Sequence, residues 1–110
     1  MEEIKIGEYI RTHTGMIAKV INDNYFMPIY IECNEGIFLR ENITKHSPNI
    51  IDLVEVGDYV NHQQVLIIKD GIPYVEYSNE FDDYIGYITN DIIKCIVTKE
   101  QFEAIKYEVI

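Results

Sequence analysis

Residues 56–77, VGDYVNHQQVLIIKDGIPYVEY, contain the strongest secondary-structure signal in the chain. Asp70-Gly71 lies between two runs rich in β-branched and aromatic residues, Val65 to Lys69 and Ile72 to Tyr77. Such a dipeptide between two such runs predicts a two-residue hairpin turn. The earlier Gly57-Asp58 predicts a turn that needs backbone freedom, followed by a strand with an aromatic on one face.

Period-two alternation continues along most of the chain and predicts about eight short strands. Residues 11–15, RTHTG, are predicted to form a polar turn, and residues 34–36 to close a further hairpin. Ser47-Pro48 is typical of a short helical start, with serine as the cap. The remaining predicted strands lie at residues 4–9, 16–21, 29–33, 37–40, 84–88 and 92–97.

One helix is predicted near the carboxyl end. Thr98 followed three residues later by Gln101 is a capping-box pattern. The helix should be short, about two to three turns, and residues 107–110 should form a last strand. The buried side of the helix is predicted to contain Phe102, Ala104 and Ile105.

An internal similarity links the two halves of the chain. The fragment at residues 6–10, IGEYI, recurs as VGDYV at residues 56–60, and without a gap MIAK at 16–19 lies over LIIK at 66–69. One interpretation is a tandem duplication with repeats at about 1–52 and 53–110. The other is an accidental match between two β-rich stretches. Either way the predicted fold is one compact, mainly β domain of small SH3-like barrel architecture with a short C-terminal helix.

Composition indicates a globular protein that is not attracted to polyanions. The 110 residues are 47% hydrophobic and 25% charged, with a net charge of −10. This charge argues against direct nucleic-acid binding and against an anionic membrane surface, both of which need lysine and arginine. The first ten residues have no basic region or long apolar run, so no signal peptide is expected. With two cysteines and no disulfide framework, the expected location is the cytoplasm.

Two segments resemble a known group of proteins. ITKHSPNIIDLVEVGDYVN (43–61) and IVTKEQFEAIKYEV (96–109) are similar to small uncharacterised proteins of phages and prophages of low-GC Gram-positive bacteria. The resemblance covers about a third of the chain and implies a phage or prophage setting and a cytoplasmic location. It implies no catalytic residues. His62 stands where the resemblance predicts glycine, which puts the turn after Asn61 in doubt.

No catalytic, metal or cofactor site is predicted from the residues. The three histidines, at positions 13, 46 and 62, are predicted to lie in separate polar turns, and a zinc site needs closely spaced ligands. Cys33 and Cys95 are predicted to be small buried apolar residues. The chain has no phosphate-binding loop and no nucleophile elbow. The protein is therefore predicted not to be an enzyme.

The acidic stretch from Asp70 to Asp91 is the candidate functional region. It contains six carboxylates and no lysine or arginine, with aromatic residues between them. Aromatics supply contact area and carboxylates attract a basic partner. One interpretation is an accessory module that binds a protein partner or self-associates as a homodimer; another is an inhibitor of a host nucleic-acid enzyme that imitates phosphate, like some anti-CRISPR proteins. A third is a solvated hairpin with no contact role. The predicted partner-binding residues are Glu76, Tyr77, Glu80, Phe81, Asp82, Asp83 and Tyr84.

Overall fold

Short antiparallel strands make up most of the computed structural model, which describes residues 3–22, 29–78 and 81–106. The chain divides into two units, Met1–Leu53 and Val54–Ile110. Each unit contains one five-stranded sheet, and the second also contains a short helix. The predicted mainly β class with a C-terminal helix is confirmed.

The first unit contains the strands β1 (Tyr9–Thr12), β2 (Ile17–Asn22), β3 (Tyr30–Cys33), β4 (Gly36–Leu39) and β5 (Ile43–Ser47). Their order in the sheet is β4-β3-β2-β1-β5. Two 3-10 helices, Arg40–Asn42 and Ile50–Leu53, flank β5. The core of the unit consists of small and branched apolar side chains from all the strands but β4, together with one from the chain before β1: Ile4, Ile10, Ala18, Val20, Ile31, Cys33 and Ile43.

The second unit contains the strands β6 (Tyr59–Val60), β7 (Gln63–Lys69), β8 (Ile72–Ser78), β9 (Asp83–Tyr87) and β10 (Ile96–Val97). Their order, β10-β6-β7-β8-β9, repeats that of the first unit when it is read from the opposite edge. A 3-10 helix, Asn90–Ile92, precedes β10, and the helix α1 (Lys99–Lys106) follows it. The core of the unit is made of Val54, Val60, Val65, Val75 and Ile88.

The turn that opens each unit has the same hydrogen bonds. The backbone N–H of Glu8 donates to the carbonyl three residues earlier at 3.1 Å, and that of Asp58 does the same at 3.1 Å. Each carboxylate in turn accepts the N–H of that earlier residue, at 2.6 Å for Glu8 and 2.7 Å for Asp58. The preceding Gly7 and Gly57 have φ values of 91° and 96°, a region that favours glycine.

A bulge falls at the same place in both units. Val20 pairs with Cys33, and the register then shifts before the next pair. Val65 pairs with Val75, and the register shifts there too. Both valines also donate their N–H to the carbonyl of the acidic turn residue, at 2.8 Å. Matching Val20 to Val65 requires a gap of five residues, so the ungapped match of residues 16–19 to 66–69 is wrong.

Both two-residue turns of the second unit have positive φ at their central residues. Asp70 and Gly71 have φ values of 53° and 77°, and the predicted hairpin around them is confirmed. Asn61 and His62 have φ values of 50° and 71°. The turn after β6 therefore keeps the primed geometry although histidine replaces the expected glycine.

The amino-terminal strand was predicted too early. It begins at Tyr9, while Ile4 precedes it as a buried residue of the core. Arg11, predicted to lie in a polar turn, is the third residue of β1 and only 1% exposed. Its Nη1 donates to the carbonyl of Leu53 at 2.9 Å. Because this hydrogen-bond partner is 42 residues away in sequence, the residues around Arg11 did not indicate that its side chain is buried.

The predicted capping box is confirmed. The N–H of Thr98 donates to Gln101 Oε1 at 3.1 Å, and the N–H of Gln101 lies 3.4 Å from Thr98 Oγ1. The cap predicted at Ser47 is wrong: Ser47 is the last residue of β5, its Oγ accepts the N–H of Asn49 at 3.1 Å, and the 3-10 helix begins only at Ile50.

The buried side predicted for this helix is only partly correct. Phe102 is 42% exposed, but its ring packs against Tyr59 with centroids 4.8 Å apart. Ala104 is exposed, contrary to the prediction. The side chain of Ile105 and the strand predicted at residues 107–110 lie outside the described residues.

Candidate protein-binding surface

The predicted contact residues that the structure describes lie on one hairpin of the second unit, formed by β8 and β9. The two strands pair without a register shift from Tyr74–Tyr87 to Ser78–Asp83. Six of the seven predicted residues are described and the seventh, Glu80, lies outside the described residues. Their places are Glu76 and Tyr77 in β8, Phe81 and Asp82 in the connection, and Asp83 and Tyr84 in β9.

The two predicted tyrosines form a stacked pair on the side of the sheet that faces the core. Tyr77 is paired with Tyr84, and their ring centroids are 5.4 Å apart at an interplanar angle of 24°. Tyr77 also packs against the core of the second unit. A methyl group on Gly86 would come within 2.7 Å of the Tyr77 ring, so glycine leaves room for it. Tyr77 therefore has a structural role that the contact prediction did not include, whereas Tyr84 is 52% exposed.

The carboxylates of this hairpin lie mainly on the opposite side of the sheet. Glu76 pairs with Ile85, and Asp83 is the first residue of β9, two positions from Ile85 on the same face. Both carboxylate residues are exposed. Asp82 precedes the strand, and its Oδ1 accepts the N–H of Asp83 at 2.9 Å. Phe81, beside them in sequence, is 92% exposed.

The wider acidic stretch does not form one continuous surface. Asp70 lies in the β7–β8 turn, and Asp91 in the 3-10 helix after β9. Because β8 and β9 are antiparallel, both lie towards the hairpin end opposite Asp82. The hydroxyl of Thr89 donates to Asp91 Oδ1 at 2.5 Å, and this bond lowers the pKa of that carboxyl, with a backbone hydrogen bond second. Among the described residues, the carboxylates of this stretch that lie close together are thus those of Glu76, Asp82 and Asp83.

An apolar row beside these carboxylates was missed from the sequence. Ile67 of β7 pairs with Tyr74 of β8, which pairs with Tyr87 of β9, so the three side chains cross one face. Ile67 is 49% exposed, Tyr87 61% and neighbouring Ile85 59%. We call this face the outer face; its residues are Ile67, Lys69, Ile72, Tyr74, Glu76, Asp83, Ile85 and Tyr87.

The bulge in β7 explains why alternation did not reveal the outer face. Val65 and Ile67 have the same parity in sequence and would share a face in a regular strand. The register shift between them places Val65 in the core and Ile67 on the outer face. A period-two analysis assumes an unbroken strand and therefore assigns both residues to the interior.

The cysteines and histidines form no metal-ligating cluster in the part of the chain that the structure describes. Both cysteines are free, and burial raises the pKa of the Cys33 thiol to about 11, with the Glu32 charge as second cause. Cys95 is half-buried, with its Sγ 3.9 Å from His62 Nε2. His46 lies in β5 rather than in a turn, and its Nδ1 is 3.2 Å from Glu8 Oε1.

Two open depressions lie on the first unit. One, of about 370 Å³, is lined by Ile29, Leu39, Arg40 and Glu41. The other, of about 440 Å³, lies beside the His46–Glu8 pair. Neither includes a residue of the outer face.

Comparison with known proteins gives no relative. No protein-family model matches the chain, and no curated protein or solved structure matches it significantly. Among the described residues, no helix is long and apolar enough to cross a membrane.

Proposed function

We propose that this protein is a non-enzymatic, cytoplasmic accessory module of phage or prophage origin that binds a basic protein through the outer face. The observation that supports this most is the row Ile67–Tyr74–Tyr87, whose half-buried Tyr74 lies between the exposed Ile67 and Tyr87, next to the carboxylates of Glu76 and Asp83. The outer face has two carboxylates and one cation, Lys69, and exposed apolar groups beside an excess of negative charge are typical of surfaces that bind a basic protein.

Comparison of the two units strengthens the proposal. With Val20 matched to Val65, the row equivalent to Ile67–Tyr74–Tyr87 is Asn22–Glu32–Ile37. In that row the Asn22 amide lies 3.4 Å from a carboxylate oxygen of Glu32. Because this backbone arrangement accommodates polar residues at two of the three positions, folding does not require apolar ones. The apolar residues of the second unit therefore call for another reason, and we assign it to binding.

We also propose that each unit is an SH3-like module. Each has five antiparallel strands in the same order, with the last strand next to the first and a 3-10 helix before it. Two such modules in one chain are what the tandem duplication predicted from the repeated Gly-acid-Tyr motif would produce.

The test is capture of a partner from a bacterial host lysate by the immobilised full chain and three variants. E76K/D83K reverses two charges of the outer face, and I67N/Y87N removes its apolar contacts. E35K/E41K makes the same charge change at exposed positions of the first unit and is the matched control. We expect one basic protein to bind wild type and control, to be lost from both outer-face variants, and to form a salt-sensitive complex when purified.

Equal capture by all four proteins would contradict the outer face as the binding site. A second candidate function, inhibition of a host nucleic-acid enzyme by phosphate mimicry, is favoured by the carboxylates from Glu76 to Asp83. It predicts that DNA competes with the protein for its partner. Self-association, the remaining candidate, predicts a sedimentation coefficient that rises with protein concentration, because more dimer forms. Two copies of charge −10 repel each other, and this repulsion opposes the dimer.

A further inference from the structure

The strand β9 presents an open edge beside the outer face. It is the last strand in its sheet order, and no strand pairs with its far side among the residues that the structure describes. The N–H of Ile88 donates to the carbonyl of Pro73 at 2.9 Å. In an antiparallel pair, hydrogen-bonded and non-hydrogen-bonded positions alternate. The backbone groups of Gly86 and Tyr84 therefore point to β8, while those of Asp83, Ile85 and Tyr87 point away from the sheet.

Among the described residues, this edge has few of the usual features that prevent another strand from pairing; its one charged residue is Asp83. Proteins protect edges with lysine, proline, bulges or very short strands. The sequence of β9, DYIGY, contains neither lysine nor proline, and its five pairs with β8 show no register shift. The bulge of this hairpin sheet lies in β7, two strands away. The edge is thus straight enough to accept a further strand.

We propose that β9 binds an extended segment of a basic partner by antiparallel strand addition. This inference rests on the proposed function, because the added strand would extend the outer face. Charge favours a basic occupant: the chain has a net charge of −10, and Asp83 and Glu76 are exposed on this face. A basic segment gains from these charges, whereas a second copy of the chain would bring its own negative charges to the same edge.

The positions of the side chains define the segment further. Residues that pair directly in a ladder point to the same face, so alternate residues of the added strand would lie beside Tyr87, Ile85 and Asp83. An antiparallel segment meets them in that order. Its preferred sequence, from amino to carboxyl end, is aromatic, any, aliphatic, any, lysine or arginine. Main-chain hydrogen bonds supply affinity and the alternate side chains supply specificity.

The experiment uses the full chain and synthetic seven-residue peptides as probes, with binding followed by NMR and calorimetry. The first peptide is Gly-Tyr-Thr-Ile-Thr-Lys-Gly, capped at both ends, and the control has the same residues in reverse order. A set of singly N-methylated versions tests the ladder. Methylation at the tyrosine, isoleucine or lysine amide removes a bond to β9, and we expect each to weaken binding about tenfold. Methylation at either threonine amide, which points away, should change the affinity by less than about twofold.

A charge exchange tests the register at Asp83. D83K should weaken binding of the lysine peptide about fivefold, and a peptide with aspartate in place of lysine should recover that loss. The matched control E35K should bind both peptides as the wild type does. The largest amide shifts should fall on Asp83, Ile85 and Tyr87.

The outcomes separate this inference from the proposed function. Peptide binding that is equally sensitive to methylation at all five positions, or equal affinity for the peptide and its reversed sequence, would overturn antiparallel strand addition at β9. Failure of every peptide to bind, while a basic protein is still captured through Glu76 and Ile67, would overturn strand addition and leave the proposed function standing. Sedimentation showing a dimer that I85P abolishes would assign the edge to a second copy instead.

Discussion

Replacing Asp58 tests whether one buried carboxylate links the opening turn of the second unit to its helix. The residue is 0% exposed, and its Oδ2 accepts the N–H of Glu55 at 2.7 Å while Oδ1 accepts the N–H of Lys99 at 2.9 Å. Lys99 is the first residue of α1, so the carboxylate satisfies a donor at the start of the helix. A hydrogen bond to a charged group is worth about 1.5 kcal/mol or more. D58A should therefore lower the free energy of unfolding by about 3 kcal/mol.

Two further variants make this magnitude testable. D58N keeps one acceptor oxygen and should lose about half as much, about 1.5 kcal/mol. Glu8 occupies the equivalent turn of the first unit, but its side chain is 13% exposed, accepts one backbone N–H and lies 3.2 Å from His46 Nδ1. Because water can replace part of both interactions, E8A should cost about 1 kcal/mol.

The measurement is urea unfolding followed by circular dichroism, with amide hydrogen exchange as the local reading. Exchange at the N–H groups of Glu55 and Lys99 should accelerate in D58A more than exchange elsewhere in the second unit. A loss below about 0.5 kcal/mol, or equal losses in D58A and E8A, would refute the role given to the buried carboxylate.

Three further predictions concern two substitutions, G86A and T98A, and the reactivity of the two cysteines. G86A should destabilise the protein by about 1–2 kcal/mol and alter the Tyr77 ring resonances, because the new methyl group would lie 2.7 Å from that ring; unchanged resonances would contradict this packing. T98A should lower stability by about 1 kcal/mol through loss of the capping box, read by urea unfolding. In native protein at mildly alkaline pH, the Cys95 thiol should react with a disulfide reagent that releases a coloured product, whereas Cys33 should react only on unfolding. The reason is that burial raises the pKa of the Cys33 thiol to about 11. Equal reaction rates of the two thiols would contradict this prediction.

Features with local causes were predictable from the sequence. The Asp70-Gly71 turn and the capping box of Thr98 depend on residues at most three positions apart, and both are present. The burial of Arg11 depends on the Leu53 carbonyl, 42 residues away, and local pattern gave the wrong environment. The turn at Asp58 was predicted, but the burial of its carboxylate was not, because its second hydrogen bond comes from Lys99, 41 residues away.

The sequence predicted which segment contains the candidate surface, but it did not predict on which side of the sheet each side chain lies. Composition located the acidic hairpin, since the charges from Glu76 to Asp83 are visible in the sequence. It could not separate the core-facing Tyr77 from the outer-facing Tyr87, because both are tyrosines in apolar strands. That separation depends on strand register, and the β7 bulge changes it within one strand.

The two units show that one backbone arrangement accommodates very different outer faces. Their opening turns, bulges and strand orders agree, so the interior requirements are the same in both. At the equivalent row, however, Asn22 and Glu32 stand where Ile67 and Tyr74 are found. Exposed isoleucine and tyrosine increase the risk of aggregation and add little to stability when they remain in water. Their concentration in one unit, next to an open edge strand, is understandable if a partner covers them.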